Sequence, residues 1–436
     1  MVFDLLQIVV AVQTWILSLW WLWLFFILVA LSYSLWMAYA QDYYKKSIQW
    51  VMLEMRTPRE LRKSPRAMEQ VFMSLHGMRN APGQWRDKYW DGETSRWFCC
   101  EIVSFGGEIH FYLRVPKGNK NMVQAAIYAH YPDIEITEVS EDYIHRFPAK
   151  VEEVEALGYT LFGNELILAK SDAYPIRTFY DFETIEEEQQ LDPVATLLET
   201  LNKISPEENI MIQILVRPTD DSWKKASERV VEALKEKART EYTTASGKVT
   251  FTERTPGEME VMKAIQRNIG KPGFDTVIRY LYIAKKEVFT VNFARRGVFS
   301  SFNQYASESL NKFKHNVKAW TTSAMWDPPF VFPKQRVKNR KERIYENYRR
   351  RWLHEDSFTG KLLQMKFADW GFTGQRAQAK YVLNVEELAT IYHPPTNIVL
   401  TGPLIKRVEA RKIGPPAGLP IYGEEDEGNK LPGVKK

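Results

Sequence analysis

Charge is missing from the start of this 436-residue chain: between Leu5 and Ala40 no side chain is charged at neutral pH. Lysine and arginine are absent before Lys45, and neither glycine nor proline occurs before Pro58. The first absence argues against a cleaved signal peptide, which needs a basic n-region, despite the Ala38-Tyr39-Ala40 motif. The second leaves nothing to turn a helical hairpin. Cysteine is nearly absent. Cys99 and Cys100 are sequence neighbours, a poor pair for a disulfide and in keeping with a reducing compartment. The seven histidines are scattered without metal-ligand spacing. No G-x-S-x-G, H-E-x-x-H or Walker-type loop occurs. Lys117-Gly118-Asn119-Lys120 lacks phosphate-loop spacing and reads as a turn before a helix. We therefore read no enzyme, and assign no catalytic residue, cofactor or metal site.

What the start does hold is a long apolar run. In Trp15–Ala30 only Ser18 is polar. About 20 helical residues cross the roughly 30 Å hydrocarbon core of a bilayer, and no later stretch is long enough. Five tryptophans within 22 residues, Trp15, Trp20, Trp21, Trp23 and Trp36, are too many for a soluble core helix. A single membrane span is expected, with Trp15, Trp20, Trp21, Trp23, Phe25 and Phe26 inside it. Tyr39, Tyr43 and Tyr44 suit the headgroup level. Lys45, Lys46, Arg56, Arg59, Arg62, Lys63 and Arg66 follow the span and only Asp4 precedes it. Positive charge stays cytoplasmic, so the expected location is the cell membrane, single-pass, with the N-terminus outside and the body inside.

The remainder is long enough for two or three domains. Overall charge is only +5, so any attraction to nucleic acid or acidic lipid must be local. The expected class is α+β: the N-terminal helix, then two or three ferredoxin-like layer units. Residues 1–45 form the anchor, and 46–80 a basic linker and a helix with Met68, Val71, Phe72, Leu75 and Met78 on one face. The first α+β unit spans 81–150: a hairpin about Gly106-Gly107, a helix Lys120–His130 and a strand Ile134–Val139. A second region, 151–333, carries tandem strand-helix-strand blocks. Its expected parts are a hairpin-like Tyr159–Ala169, an acidic connector Asp181–Gln190, a strand Asn209–Arg217, a helix Ser222–Ala238, a Thr-rich surface loop Glu241–Pro256, a strand Phe274–Ala284 and a helix Val288–Asn311. A basic helical segment covers 334–380, a strand-rich exit 381–420 and a polar tail 421–436.

The strongest charge feature is Lys334–Arg351, KQRVKNRKERIYENYRRR, with nine cations against two glutamates. Lys334, Arg336, Lys338, Arg340, Lys341, Arg343, Arg349, Arg350 and Arg351 are candidate phosphate or lipid contacts, beside an aromatic strip of Tyr345, Tyr348 and Trp352. Three readings stand: a nucleic-acid helix, an attachment to anionic lipid, and a solvated or salt-bridged seam against Asp181–Glu188.

One resemblance covers most of the chain. Tyr381–Thr396, YVLNVEELATIYHPPT, carries Leu383, Asn384, Glu386, Glu387, Leu388, Ala389, His393, Pro395 and Thr396; Pro415, Pro416, Leu419 and Pro420 follow. Earlier stretches Phe111–Ile136, Tyr174–Glu183 and Leu191–Leu201 add to it. Together they resemble the N-terminal, membrane-anchored region of type IV coupling proteins of the FtsK/HerA-like DNA translocases from uncultured bacterial lineages. That family's motor would begin shortly after Pro420, and residues 421–436 carry no nucleotide loop. The resemblance thus implies a non-enzymatic component of a type IV secretion or conjugation-like DNA-transfer machine. Its implied partners are the membrane, a P-loop ATPase in trans, DNA and further copies of itself. The rival expectation is a membrane-surface scaffold whose basic helix binds lipid or protein, without nucleic acid.

Overall fold

The computed structural model describes residues 14, 18–58, 61, 63–80, 82–182, 191–237, 239–244, 247–252, 255–317, 319–322, 330–353, 380–396 and 407–408. Trp15, most of the acidic connector, the 354–379 half of the basic segment, the Pro415–Pro420 motif and the polar tail lie outside the described residues.

Helix α1, Trp20–Ser47, is long and apolar enough to cross a membrane. Its aromatic residues Trp20, Trp21, Trp23, Phe25 and Phe26 are 53–64% exposed. A helix that is apolar all round and unburied matches hydrocarbon, not water. At 1.5 Å per residue it is about 42 Å long, more than a bilayer core, so it also has a stretch to spare for the body.

The α+β class expected from the sequence is what the chain adopts. Strand β1 (Trp50–Pro58) leads to α2 (Arg66–Gly77), a one-turn helix α3 (Trp85–Tyr89), β2 (Phe98–Phe105), β3 (Glu108–Pro116), α4 (Lys120–His130) and β4 (Glu135–Val139). Next come α5 (Val151–Ala156), β5 (Tyr159–Leu168), α6 (Ala195–Asn202), β6 (Glu208–Pro218), α7 (Ser222–Lys237), β7 (Arg239–Thr244), β8 (Gly247–Thr252), α8 (Pro256–Ile269) and β9 (Gly273–Lys285). The last elements are β10 (Phe313–His315), α9 (Pro333–Arg350), β11 (Tyr381–Asn384), α10 (Val385–Ile391) and β12 (Arg407–Val408).

Ten strands join in one sheet of order β10-β5-β9-β6-β2-β3-β1-β12, with β11 added to β9 and β4 to β1. Among the described residues of this sheet, only the β1–β12 pair is parallel. Strand β2 pairs along its whole length with β6, so residues on both sides of position 150 share the sheet. Both faces are covered, and the strands divide their side chains between two cores. Along β2, Phe98, Cys100 and Ile102 face α2, α4, α6 and α10, while Cys99 and Val103 face the opposite side, where α5 and α9 pack. This explains strands that read as continuous apolar runs: each face needs its own apolar set.

Four local expectations change. Tyr159–Ala169 is not a hairpin but the single strand β5, paired with β9 from Tyr159 to Leu166. Within β5, Gly163 lets the sheet pass beneath α9, because a Cβ there would press on Leu281 and Ile344. The Thr-rich Glu241–Pro256 loop contains the hairpin β7–β8, in keeping with the strand preference of its Thr, Tyr, Val and Phe. Val288–Asn311 is helical over the shorter run 291–305, and its pitch is not uniform: a wide π-turn at Phe293–Gly297 is followed by α at Val298–Ser300 and a 3-10 end at Ser301–Tyr305. Phe293, Phe299, Phe302 and Tyr305 all pack on the core, and their six- and three-residue spacing does not fit one 3.6-residue stripe. The exit segment holds a helix, α10, capped by Asn384 and Glu387.

The foot of α1 is built into the body. Trp36 Nε1 donates to Tyr89 O at 2.9 Å and Tyr44 OH to Glu93 Oε1 at 3.2 Å. Ala40 is buried against Gly92, whose φ is +67° and whose missing Cβ would overlap the backbone of Ala40 and Gln41. Gly92→Ala should therefore separate this loop from α1, at about 1–3 kcal/mol of strain. Limited proteolysis in detergent should show faster cleavage near residue 92 than in the parent protein.

Candidate functional site

Each of six neighbouring strands carries a buried polar side chain near its middle, and the registers place these six in a single row. Glu54 of β1 lies opposite Tyr112 of β3, Tyr112 opposite Glu101 of β2, and Glu101 opposite Gln213 of β6. Gln213 lies opposite Arg279 of β9, and Arg279 opposite Glu165 of β5. None of the six is more than 6% exposed. The row runs across the sheet on the face that α9 covers.

That cover explains the basic sequence. Of its nine cations, Arg336, Arg340, Arg343 and Arg351 are buried at 1–4% exposure. They point inward together with Ile344, Tyr345 and Tyr348, which join the core formed with Leu161, Leu281 and Ile283. Arg340 Nη1 donates to Val317 O at 3.3 Å. Half-buried Arg349 caps the carbonyls of Ile144, Phe147 and Pro148 at 3.0–3.3 Å, and half-buried Lys341 pairs with Glu155 at 2.8 Å. Lys334, Lys338 and Arg350 are exposed. Lys338 bridges Glu152 at 3.0 Å and Arg350 bridges Glu346 at 2.5 Å. The nine candidates are thus one helix but two populations, and only three of them offer charge to a large partner. The carboxylates shown against this helix are Glu101, Asp142, Glu152 and Glu155; residues 183–188 of the acidic connector lie outside the described residues.

The seam centres on Arg351, at the C-terminal end of α9. Its Nε donates to Glu101 Oε1 at 2.6 Å and its Nη2 to Glu101 Oε2 at 3.1 Å; Nη1 and Nη2 also reach Asp142. Glu101 accepts further bonds from Tyr143 OH at 2.6 Å, Gln213 Nε2 at 2.9 Å and Cys99 Sγ at 3.0 Å. With its proton committed to Glu101, Tyr143 accepts from Tyr348 OH at 2.7 Å. Burial works against ionising Glu101 and Asp142, but Arg351 holds both below their usual range. Burial, reinforced by Glu101, pushes Tyr143, Tyr348 and Cys99 well above theirs. No group of this cluster is poised to exchange a proton near neutral pH. What the arrangement does is lock a helix to a sheet. Arg351 has φ +52°, a left-handed conformation that costs an ordinary side chain about 1 kcal/mol and is normally glycine's. The bidentate contacts outweigh that strain, since charge-assisted bonds contribute more.

The same segment also touches α1. Trp97 Nε1 donates to Arg351 O at 2.8 Å, and Lys45 Nζ of α1 to Leu353 O at 2.9 Å. Lys45 is 5% exposed and lies over the Trp97 ring, so it is a buried fastener, while Lys46 faces outward with Asp42. Beside this foot, an open cleft of about 560 Å³ lies between Met37 and Gln41 of α1 and the body. Arg79, Lys88, Arg217 and Lys380 line it against Glu93, Asp172, Asp220 and Asp275. Four cations balance four carboxylates, so the cleft has no net sign with which to select phosphate or metal.

The residues that carry the resemblance form a second lock. Asn384 Oδ1 accepts from Glu387 N, and Glu387 accepts from Asn384 N and Ile176 N at 2.9 Å each. Glu386 bridges Lys271 at 2.7 Å and Arg267 at 3.0 Å. His393 Nδ1 lies 2.7 Å from Ala389 O and Nε2 lies 3.0 Å from Asp192 Oδ1. Asp192 also accepts from Thr396 and Val194. Burial resists its ionisation, yet His393 and these N–H groups bring it down to about 2.

Glu101, Gln213, Arg279, Asp142 and Tyr143 were not identified as important from sequence. Their signal was present: one polar residue interrupts each apolar strand in CCEIV, MIQIL and VIRYL. Taken together, fold and site define an α+β body fastened to an apolar N-terminal helix, with its basic helix turned inward on a buried polar row. The chain matches the family described as a domain of unknown function, DUF8128, over residues 34–362, and it belongs to that family. The match begins inside α1 and runs past α9, so it includes the junction and the seam. No curated protein matches the chain by sequence.

Removing one partner of a buried pair strands the other charge, at about 3–5 kcal/mol. Glu101→Gln and Arg351→Met should each lower chemical-denaturation midpoints by that order. Arg351→Gly should also destabilise, because the roughly 1 kcal/mol of relieved backbone strain is smaller than the lost pair. The double variant Glu101→Leu/Arg351→Met should lose clearly less than the sum of its singles, since neither member of the fully buried pair is stranded and only half-buried Asp142 loses its partner.

Asp192 and Glu54 have folded-state values of about 2, below the roughly 4 of an unfolded carboxyl. Burial resists ionisation of Glu54 as well, and His110 and Arg56 overcome it. Their stabilisation is full above the unfolded value and drains as pH falls toward 2. Denaturation midpoints measured from pH 6 to pH 2.5 should fall steeply below about pH 4. Asp192→Asn should be weaker at pH 6 and show a shallower decline.

Proposed function

We propose that this chain is a membrane-anchored, non-enzymatic platform that holds its α+β body at a fixed position on the cytoplasmic side of the cell membrane. One observation carries the reading: the end of α1 is not a free tether but is fastened into the body through Lys45, Trp36, Ala40 and Tyr44. A mere anchor needs no such junction. Lys45, Lys46 and the basic residues after them, with none before, favour N-terminus outside and body inside.

The resemblance of Leu383–Thr396 and the earlier stretches to coupling proteins gives the platform its specific form. It acts in a type IV secretion or conjugation-like DNA-transfer machine, as a homo-oligomer, with a P-loop ATPase supplied in trans. The exposed cations Lys334, Lys338 and Arg350 support a second, weaker contact with DNA or anionic lipid. The inward arginines favour a scaffold role for the rest of α9.

Affinity capture of the full chain from cross-linked membranes should recover a P-loop ATPase; repeated recovery of none overturns the coupling role and leaves the scaffold. Direct DNA contact predicts salt-dependent binding that weakens several-fold in Lys334→Ala/Lys338→Ala/Arg350→Ala. Binding that is absent or insensitive to salt removes DNA from the reading.

A further inference from the structure

The charge-free stretch from Leu5 to Ala40 has 36 residues. As a helix it would be about 54 Å long, far more than a bilayer core of about 30 Å, so sequence alone does not say where along it the membrane surface falls. The body supplies a marker. Helix α3 lies against α1 at residues 33–40: Tyr33 and Tyr89 rings are 6.4 Å apart, Trp36 and Trp90 rings 5.4 Å, and Gly92 abuts Ala40. At this level the body turns indoles outward. Trp85 is 72% exposed and Trp90 60%, beside Tyr39 of α1 at 65%. Tryptophan and tyrosine are the residues that settle at the headgroup boundary. Within Trp85–Asp91 two cations, Arg86 and Lys88, balance two carboxylates, Asp87 and Asp91.

We infer that α3 is a second membrane contact: Trp85 and Trp90 enter the headgroup–acyl boundary beside Trp36 and set how deep the body sits. The inference rests on the reading that α1 crosses a bilayer. The span is then the roughly 20 residues before Trp36, and the last turns of α1 stand outside the hydrocarbon as part of the body. Because the segment is neutral and the contact is made by indole rings, it does not require anionic lipid.

The full chain, reconstituted in phosphatidylcholine vesicles, carries a nitroxide on a cysteine introduced by Arg86→Cys, Leu28→Cys or Lys235→Cys, the last an exposed site on α7. Cys99 and Cys100 are fully buried and remain unlabelled. Power-saturation measurements compare collisions with oxygen, which enters lipid, and with a water-soluble nickel chelate. The oxygen-to-nickel ratio at position 86 should exceed that at 235 several-fold, and should fall to the 235 value in Trp85→Ser/Trp90→Ser, while position 28 stays in hydrocarbon in both backgrounds. An aqueous ratio at 86 with 28 in hydrocarbon overturns the second contact and leaves the span intact. Shielding of 86 from both reagents also overturns it, since protein then covers the face. An aqueous ratio at 28 overturns the membrane reading itself.

Discussion

The pairing of Arg351 with Glu101 holds the rest of the structure in place. Both groups are fully removed from water, where an isolated charge would be strongly disfavoured. Each is tolerable only because the other is there, with Asp142, Tyr143, Gln213 and Cys99 filling the remaining hydrogen-bonding positions. Such a cluster adds little stability compared with an apolar core of the same volume. Its value is uniqueness: a guanidinium fork with two carboxylates has one acceptable geometry. The end of α9, the middle of β2 and the turn at Asp142–Tyr143 are therefore fixed relative to one another.

Position is what this geometry transmits. The carbonyls of Arg351 and Leu353 receive Trp97 and Lys45, so the element locked to the sheet is also the one that grips α1. A loosened seam would free both the helix that covers the polar row and the C-terminal end of α1. On the opposite face, Asp192, His393 and the Asn384–Glu387 cap bind β11 and α10 to the body by the same means. Buried polar and charged groups thus fasten both segments to the body, whereas Arg279 in the middle of the row has, among the described residues, only Glu165 facing it, at 3.9 Å. Both cysteines sit in this interior with their thiols kept protonated by burial, consistent with structural and not reactive roles.

The inward turn of the basic helix changes how its sequence is read functionally. A local charge of +7 looks like an electrostatic footprint for phosphate, but the side chains of four arginines are spent inside the protein, and two further cations are half-buried. The outward charge is modest and partly paired. By contrast, the surface near Trp36 and Trp85 exposes indole rings beside balanced charge.

Much of the fold was legible in the residues. Helix α2 runs from Arg66 with Met68, Val71, Phe72 and Leu75 buried, as its spacing predicts, and the Gly106-Gly107 hairpin turns where its glycines stand. These are local properties: period, turn chemistry and an uncharged run act within a few residues and need no partner. The misread parts are those where a distant partner decides. Tyr159–Ala169 reads as a hairpin until its pairing with β9 is seen, and Val288–Asn311 reads as one regular helix until its shorter extent and changing pitch are seen. The candidate site divides in the same way. Sequence alone determined that α9 is a helix dense in cations and that the chain opens with a run apolar enough for a membrane. Only the tertiary structure decided which cations face inward, because that depends on the cross-strand register from Glu54 to Glu165. A one-residue slip would turn each polar side chain of the row to the other face.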